Sequence, residues 1–411
     1  MEINMINKYG LLGKTLSHSY SAKIHQLLGN IEYRQRAVDE TELDKLLTDR
    51  EFLGYNVTIP YKQAVIPYCD SLSESAGKIG SVNTLINKNG RLHGDNTDYF
   101  GFLYMANKAG ISFKGKKVAI FGSGGTSLTA RTVVADEGAA VVTVVSRSGK
   151  INYKNLEKLS DYEIIINTTP VGMYPNNGRR SIDLNRFPKC EGVIDAIYNP
   201  LYTEILFQAK EKGILHTNGL SMLVAQAVKS HELFFETKLD EKVIDAVTAE
   251  IENDVTNIVL IGMPGSGKTT LAKGASQLTG RKFIDTDRMT ELMAGMRIPQ
   301  IFAEQGEAAF RELEAAVIRE AGKGRGAVIA TGGGCMKSYE NYKALKQNGR
   351  IFYLERDIVK LEQCGRPLSK DINALEKLYN ERKSLYETYC DERIDSNQTI
   401  EKALCQLLEK I

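Results

Sequence analysis

Residues 261–270 of the chain read IGMPGSGKTT, which has the residue types and the spacing of a phosphate-binding loop. The pattern G-x-x-x-x-G-K-[ST] begins at Gly262, follows an apolar run and precedes a helical pattern that begins near Thr269. Glycines let backbone N–H groups surround phosphate oxygens, a lysine supplies charge to the β- and γ-phosphates, and a threonine hydroxyl can bind Mg²⁺. The predicted nucleotide ligands are Gly262, Gly265, Ser266, Gly267, Lys268, Thr269 and Thr270.

Polar residues that could hold a small phosphate acceptor follow this loop. The segment 283–293 carries Asp285 and Asp287 at a predicted strand end, where one carboxylate can face a metal ion and the other an acceptor. Asp287 could equally be only the N-cap of the next helix. The other candidates are three arginines, each of which could be a solvated surface charge, and a triple glycine: Arg311, Arg366, Arg382, Gly332, Gly333 and Gly334.

A second glycine-rich turn lies in the front half. Residues 116–134, KKVAIFGSGGTSLTARTVV, read as a strand, a turn and a helix, which is typical of a dinucleotide-binding domain. The pattern is weak by itself, because Ser127 stands where the common fingerprint has its third glycine. The following strand ends at an arginine rather than at an acidic residue, which favours NADP over NAD. The predicted NADP ligands are Gly122, Ser123, Gly124, Gly125, Thr126, Ser146 and Arg147.

Three polar clusters precede this turn, at residues 16–25, 54–62 and 80–98. Each has a structural alternative: serines and Asp98 can cap helices, and Lys62 can be solvated. A lysine beside a carboxylate can also stabilise a developing alkoxide and give it a proton. The clusters therefore offer a candidate acid–base pair without deciding between these interpretations.

Short β-type runs alternate with helical patterns and must position these residues. The predicted strands are 116–121, 140–145, 162–167, 192–197, 257–262, 327–331 and 350–355. Such alternation indicates α/β layers with parallel sheets. Residues 239–253 place Val243, Ile244, Val247 and Ile251 on one helical face, so we expect a helix there and a domain boundary near residues 254–257.

Composition and charge narrow the class of protein. With 411 residues, 42% of them apolar, and a net charge of +2, we expect two or three globular domains and no nucleic-acid partner. The six cysteines form no CxxC pair and the five histidines no HExxH, which indicates neither a zinc site nor a disulfide framework. We found no targeting segment and no apolar run of membrane-spanning length, so we expect a cytoplasmic protein without membrane association. The sequence does not decide whether the chain forms a homodimer.

The rear half resembles shikimate kinases across essentially its whole length. The phosphate loop, DTD, FR, the triple glycine, RPL and R-x-x-LY stand in family order, although Ser384 replaces a usual proline. The resemblance implies ATP and Mg²⁺ as cofactors, with Mg²⁺ held by Thr269 and, through water, by Asp285. It also implies that Asp287 binds shikimate hydroxyls and acts as base or orienter. The remaining implied roles are Arg311 and Arg382 on the carboxylate, Gly332 to Gly334 against the substrate, and Arg366 over the transferring phosphate.

The front half resembles shikimate dehydrogenase from about Leu11 to Ile251. The three clusters carry the resemblance, together with NTTPVGM (167–173) and NGLSMLVAQA (218–227). Ala22 and Ser221 depart from the family pattern without removing a polar group. The resemblance implies that Lys62, paired with Asp98, transfers the proton when NADPH reduces 3-dehydroshikimate. It also implies substrate ligands: Ser17, Ser19 and Tyr198 for the carboxylate, and Thr58, Asn83, Asp98 and Gln226 for the ring hydroxyls.

Together these patterns predict a bifunctional α/β enzyme. We expect a substrate-binding domain at residues 1–100, completed by helices of about 219–253, a Rossmann NADP domain at 101–218, and a P-loop kinase domain at 256–411. The front half would make the shikimate that the rear half phosphorylates. Two alternatives remain at this point: a front half that prefers quinate or NAD, and a half that only senses its ligand.

Overall fold

The computed structural model describes residues 8–16, 20–29, 32–361 and 372–411. The chain divides into two compact units. The first unit ends at Ile251 and the second begins at Glu252, and the short segments Tyr174–Gly178 and Asn199–Tyr202 also belong to the second. Among the described residues, none of the helices is both long enough and apolar enough for a membrane span.

The front of the first unit is built on a mixed sheet. Its elements are β1 (Tyr9–Gly13), α1 (Ser21–Leu27), β2 (Tyr33–Ala37), α2 (Glu40–Asp49), β3 (Gly54–Val57), β4 (Ser71–Leu72), α3 (Glu74–Ile79), β5 (Thr84–Lys88), β6 (Arg91–Asp95) and α4 (Asp98–Lys108). The strand order is β2-β1-β3-β5-β6-β4. β5 runs antiparallel to both β3 and β6. Its pairing with β6 follows from a two-residue turn at Asn89 and Gly90, whose φ values of 53° and 81° are those of a hairpin turn.

The second sheet of this unit is parallel and doubly wound. Its elements are β7 (Lys117–Phe121), α5 (Gly125–Asp136), β8 (Val141–Val145), β9 (Ile164–Asn167), β10 (Gly192–Asp195), α6 (Glu204–Glu211), β11 (Leu215–Thr217), α7 (Leu220–Phe235) and α8 (Lys242–Val255). The strand order is β8-β7-β9-β10-β11. The order reverses between β7 and β9, which is where ligands bind in such sheets, and the glycine turn follows β7.

Helix α7 follows the second sheet in sequence but packs on elements of the first. A Cβ on Gly101 of α4 would lie 2.6 Å from the Met222 carbonyl oxygen, and a Cβ on Gly54 of β3 would lie 2.4 Å from the Phe234 ring. These glycines therefore allow close contact of α7 with α4 and β3. The contact brings Gln226 of α7 to the carboxyl end of the first sheet.

The second unit is a five-stranded parallel sheet with helices. Its elements are β12 (Asn257–Ile261), α9 (Lys268–Thr279), β13 (Lys282–Asp285), α10 (Thr286–Ala294), α11 (Ile298–Glu304), α12 (Gly306–Lys323), β14 (Ala327–Ala330), α13 (Tyr339–Lys346), β15 (Gly349–Glu355), α14 (Ile372–Tyr389), β16 (Glu392–Asp395) and α15 (Ile400–Leu408). The strand order is β13-β14-β12-β15-β16. The carboxyl ends of its strands therefore meet at one edge, beside the phosphate loop.

The α/β prediction is confirmed. Every predicted strand occurs, and its ends lie within two residues of the observed ones. The continuous apolar runs of β9, β12 and β14 are fully buried, as expected for parallel strands that are covered on both faces. The predicted helix at 239–253 is α8, which buries Ile244, Val247 and Ile251.

Candidate active sites

Lys62 and Asp98 form an ion pair at the edge of the first sheet. The Lys62 Nζ donates to Asp98 Oδ2 at 2.6 Å, and the two side chains are 24% and 14% exposed. The other carboxylate oxygen, Oδ1, accepts from Asn83 Nδ2 at 2.9 Å. Both oxygens therefore act as acceptors, which the ionised form of Asp98 satisfies. The position of Asp98 in the first turn of α4 also favours a negative charge.

The structure brings two further predicted residues to this pair. Asn83 is buried, and its Nδ2 lies 3.5 Å from the Gln226 Oε1. Thr58 follows β3, and its backbone N–H donates to the Leu12 carbonyl. Tyr198 contacts Tyr20, with ring centroids 6.3 Å apart in an edge-on arrangement. The predicted Ser17 and Ser19, which precede Tyr20, lie outside the described residues.

A buried polar network behind Asn83 was missed by sequence reasoning. Asn56 of β3 accepts at Oδ1 from the Tyr33 hydroxyl at 2.7 Å, and its Nδ2 donates to Thr84 Oγ1 at 3.1 Å. Thr84 in turn donates to Asn83 Oδ1 at 3.0 Å. His25 stacks on Tyr33, and burial lowers the pKa of His25 to about 3, so the ring is neutral. The signal available in the sequence was the amide inside the otherwise apolar run GYNV.

The glycine turn after β7 leaves space for a ligand. Gly122 has a φ of +117°, and a Cβ there would lie 2.5 Å from the Thr168 hydroxyl oxygen, so this position requires glycine. A Cβ on Gly124 or Gly125 would have no neighbour within 4 Å. Gly124 is the N-cap of α5, and the turn therefore exposes a helix N-terminus to solvent. Ser127, at the third fingerprint position, is buried and its hydroxyl has no hydrogen-bond partner among the described residues.

The residues that follow β8 are also accessible to a ligand. Ser146 and Arg147 directly follow Val145, the last residue of β8, and Arg147 is exposed. Among the described residues, no carboxylate forms an ion pair with Arg147. The turn, the helix N-terminus and this arginine could hold a dinucleotide with a 2′-phosphate.

The second unit has a cavity of about 1370 Å³ at the carboxyl edge of its sheet. Lys268 is buried, and its Nζ donates to the carbonyl oxygens of Gly262 and Met263 at 2.9 and 2.8 Å. The Thr269 hydroxyl donates to Asp285 Oδ2 at 3.0 Å. The predicted loop residues Gly265, Gly267, Thr269 and Thr270 line the cavity. Ser266 lies beneath them, fully buried.

Asp285 and Asp287 have different structural positions at the carboxyl edge of the second unit's sheet. Asp285 is the N-cap of α10, since its Oδ1 accepts from the Arg288 N–H at 3.1 Å. The alternative in which Asp287 is the N-cap is therefore wrong. Asp287 lies in the first turn of α10 and lines the cavity. The hydroxyl and carboxylate of Thr269 and Asp285 are oxygen ligands of the kind Mg²⁺ takes when water and phosphates complete its shell.

The triple glycine after β14 makes room for other residues of the cavity. A Cβ on Gly332 would lie 2.5 Å from Asp287 Oδ1, and one on Gly334 would lie 2.4 Å from Arg311 Nη1. A Cβ on Gly333 would lie 2.7 Å from the Pro264 ring. The prediction that these glycines admit substrate stays a prediction. In the structure they make room for side chains that line the cavity.

Two arginines of the cavity are held by partners that sequence reasoning missed. Arg311 donates to Glu314 at 2.8 Å and to Glu307 at 2.9 Å. Burial raises the pKa of Glu314, and the Arg311 charge opposes that shift. Arg382 is 3% exposed and donates to the Gly333 carbonyl at 3.0 Å, an oxygen that also accepts from the Tyr386 hydroxyl. The predicted Arg366 lies outside the described residues.

The two units correspond to two families of enzymes. The shikimate kinase family model matches residues 264–411. The model of the shikimate dehydrogenase substrate-binding domain matches residues 11–85. The NADP-dependent shikimate dehydrogenase of Clostridium beijerinckii is 37% identical over an aligned stretch of 265 residues, and the match covers 60% of this chain and 98% of that relative. The chain belongs to the shikimate dehydrogenase family.

Solved shikimate dehydrogenases share the fold of the first unit. A chorismate mutase/shikimate 5-dehydrogenase fusion protein from Clostridium acetobutylicum is 35% identical with a TM-score of 0.56, and the match covers 59% of this chain and 96% of that one. The shikimate 5-dehydrogenase of Thermus thermophilus, solved with NADP(H) and shikimate, is 28% identical with a TM-score of 0.54 over 59% of this chain and 98% of that one. Because the rest of the chain is a shikimate kinase domain, the chain is a bifunctional shikimate-pathway enzyme.

Proposed function

We propose that the first unit reduces 3-dehydroshikimate to shikimate with NADPH and that the second phosphorylates shikimate to shikimate 3-phosphate with ATP. The observation that carries this proposal is the polar set that the structure brings together in each unit. In the first, the Lys62–Asp98 pair at 2.6 Å lies beside Asn83 and Gln226. In the second, Lys268, Thr269 and Asp285 meet at one cavity edge. The product of the first reaction is the acceptor of the second.

In the reduction, NADPH supplies the hydride when it is bound. Lys62 holds at Nζ the proton that the developing alkoxide oxygen of the substrate takes up. Asp98 keeps this ammonium in place, and Asn83 keeps Asp98 in place. Because the Lys62 side chain is 24% exposed, solvent can return the proton after each turnover.

The substrate is held by polar groups around the pair. We assign the ring hydroxyls to Thr58, Asn83, Asp98 and Gln226, of which Asn83 is already ordered by the Asn56 network. We assign the carboxylate to Ser17, Ser19 and Tyr198. An amide network that is fixed before binding reduces the entropy that would otherwise be lost in ordering it.

We propose three domains for these tasks. Residues 1–100 with the helices of 219–253 bind substrate, 101–218 bind NADP and 256–411 form the kinase. The NADP ligands are the open turn Gly122, Ser123, Gly124, Gly125 and Thr126, with Ser146 and Arg147 at the 2′-phosphate. The exposed Arg147, with no ion pair among the described residues, supports a 2′-phosphate over a free ribose hydroxyl.

Phosphoryl transfer requires positioning and charge neutralisation rather than covalent help from the protein. Thr269 and Asp285 fit Mg²⁺, which offsets phosphate charge when it is bound. Asp287 orients the acceptor hydroxyl or takes its proton, and Lys268 neutralises the β- and γ-phosphates. We assign the shikimate carboxylate to Arg311 and Arg382, the substrate-facing backbone to Gly332, Gly333 and Gly334, and the transferring phosphate also to Arg366.

The test measures both reactions on one purified chain. NADPH oxidation with 3-dehydroshikimate and ADP formation with shikimate should both occur, and should exceed the rates with NADH or quinate. Lys62→Met should remove only the first activity and Lys268→Met only the second. Ligand binding without turnover in either unit would instead support a sensor and overturn the proposal for that unit.

A further inference from the structure

Arg356 is a cation of the kinase cavity to which the roles above give no task. It directly follows β15, whose neighbour β12 leads into the phosphate loop, and Ile261 of β12 is in register with Tyr353 of β15. The two carboxyl ends therefore lie side by side. A Cβ on Gly267 would be 3.7 Å from Arg356 Nη1, and Arg356 lines the cavity together with that glycine.

The Arg356 guanidinium lacks a protein acceptor in the part of the chain that the structure describes. Its side chain is partly buried, its Nε is buried without a hydrogen-bond partner, and no carboxylate forms an ion pair with it there. Arg311 pairs with two glutamates. Arg382, whose Nε is likewise buried without a partner, still donates from Nη1 to the Gly333 carbonyl, whereas Arg356 has no such acceptor among the described residues. Withdrawing a charged donor from water without an acceptor is costly. A ligand anion in the cavity would supply the missing acceptor.

The position of Arg356 indicates which part of a nucleotide it meets. Backbone N–H groups at the N-terminus of α9, which begins at Lys268, are those that cradle α- and β-phosphates in such loops. Arg356 lies on the Gly267 side of the loop. The Lys268 ammonium instead donates to the carbonyl oxygens of Gly262 and Met263, and the lysine of such loops serves the β- and γ-phosphates.

We infer that Arg356 binds the α- and β-phosphates of the nucleotide, with a bidentate fork that a lysine cannot reproduce. The inference rests on the proposed kinase function and adds a residue to it. ATP and ADP share these two phosphates, so Arg356 contributes equally to both complexes. This separates it from Arg366, whose implied contact is the phosphate that is transferred.

The test is isothermal titration of the full chain with MgADP, with a non-hydrolysable MgATP analogue and with adenosine. Arg356→Gln should weaken both phosphate-bearing ligands about 10-fold or more and leave adenosine binding unchanged. Arg356→Lys should recover part of the loss, and added salt should reduce the difference between the variants. Arg350→Gln is the matched control. It removes the same charge from the other end of β15, about 20 Å away, where Arg350 pairs with Glu392 at 3.1 Å.

The outcomes separate this inference from the function on which it rests. If the wild-type chain does not bind MgADP, the kinase proposal itself fails. If the wild-type chain binds and Arg356→Gln binds equally well, only the role of Arg356 fails. An equal loss for adenosine would place Arg356 on the ribose or base and overturn the phosphate assignment. If Arg350→Gln weakens binding of the phosphate-bearing ligands as much as Arg356→Gln does, the effect comes from the net charge of the chain. That result would also overturn the phosphate assignment.

Discussion

Replacing Asp98 by asparagine tests the dehydrogenase mechanism with little change in shape. Both carboxylate oxygens accept hydrogen bonds, one from Lys62 at 2.6 Å and one from Asn83 at 2.9 Å. Whichever way the new amide is turned, its NH₂ group faces one of these two donors. The variant therefore loses one charge-assisted hydrogen bond and the charge that holds the Lys62 ammonium in place.

The expected loss follows from the strength of that bond. Hydrogen bonds to charged groups contribute about 1.5–3 kcal/mol, which corresponds to a decrease of about 10- to 150-fold in kcat/KM for 3-dehydroshikimate. The assay is initial-rate NADPH oxidation. The kinase rate of the same sample depends on the second unit, so it measures the amount of intact chain and should not change.

Asp245→Asn is the matched control for this experiment. Asp245 of α8 forms an ion pair with Lys108 and accepts from the Tyr104 hydroxyl at 2.7 Å, away from the Lys62–Asp98 pair. It should keep the wild-type reductase rate. A reductase rate in Asp98→Asn within twofold of wild type would refute the role of the pair. A parallel fall in kinase rate would point to a loss of intact chain instead of a loss of the ion pair.

Three further predictions concern other parts of the chain. Arg147→Asp should raise the KM for NADPH far more than the KM for NADH, because it replaces a partner of the 2′-phosphate by a group of like charge. Equal increases in the two KM values would show that Arg147 does not contact the 2′-phosphate. Tyr386→Phe keeps the ring stacked on Tyr353 but loses the hydrogen bond to the Gly333 carbonyl, so the KM for shikimate should rise about fivefold while reductase activity persists. Burial raises the pKa of Asp195 to about 6, although Thr203, Ile197 and Asn167 donate to it. The folded form then holds a proton that the unfolded chain releases near pH 4, so stability should fall as the pH rises from about 4 to 6, and urea unfolding of Asp195→Asn should lack that component.

The sequence was sufficient for features that are local. Apolar runs predicted the strands, and the GxxxxGK[ST] spacing predicted a loop whose glycine φ values, such as +93° at Gly267, few other residues adopt. The Asn89–Gly90 dipeptide is itself typical of a two-residue hairpin turn, so the antiparallel pair in the first sheet could have been predicted from it. The strand prediction did not extend to that region.

Tertiary partners could not be predicted in the same way. Asn56 stands in a run that predicts only a buried strand, and its partners Tyr33 and Thr84 come from distant positions. Glu314 was one of several glutamates on a helix until the fold buried it at 2% exposure beside Arg311. Burial and long-range hydrogen bonds depend on how elements meet, which a single sequence does not show.

The triple glycine has a consequence for how this kinase domain can change through mutation. The volumes that side chains at 332 and 334 would need are held by Asp287 and Arg311. A larger residue at either position would have to displace or shorten the side chain opposite, and that side chain is proposed to serve the substrate. A second, volume-restoring substitution would therefore change the proposed site itself. Selection for catalysis and selection against steric overlap act on the same atoms, so we expect positions 332 and 334 to resist randomisation even in libraries that vary their neighbours freely.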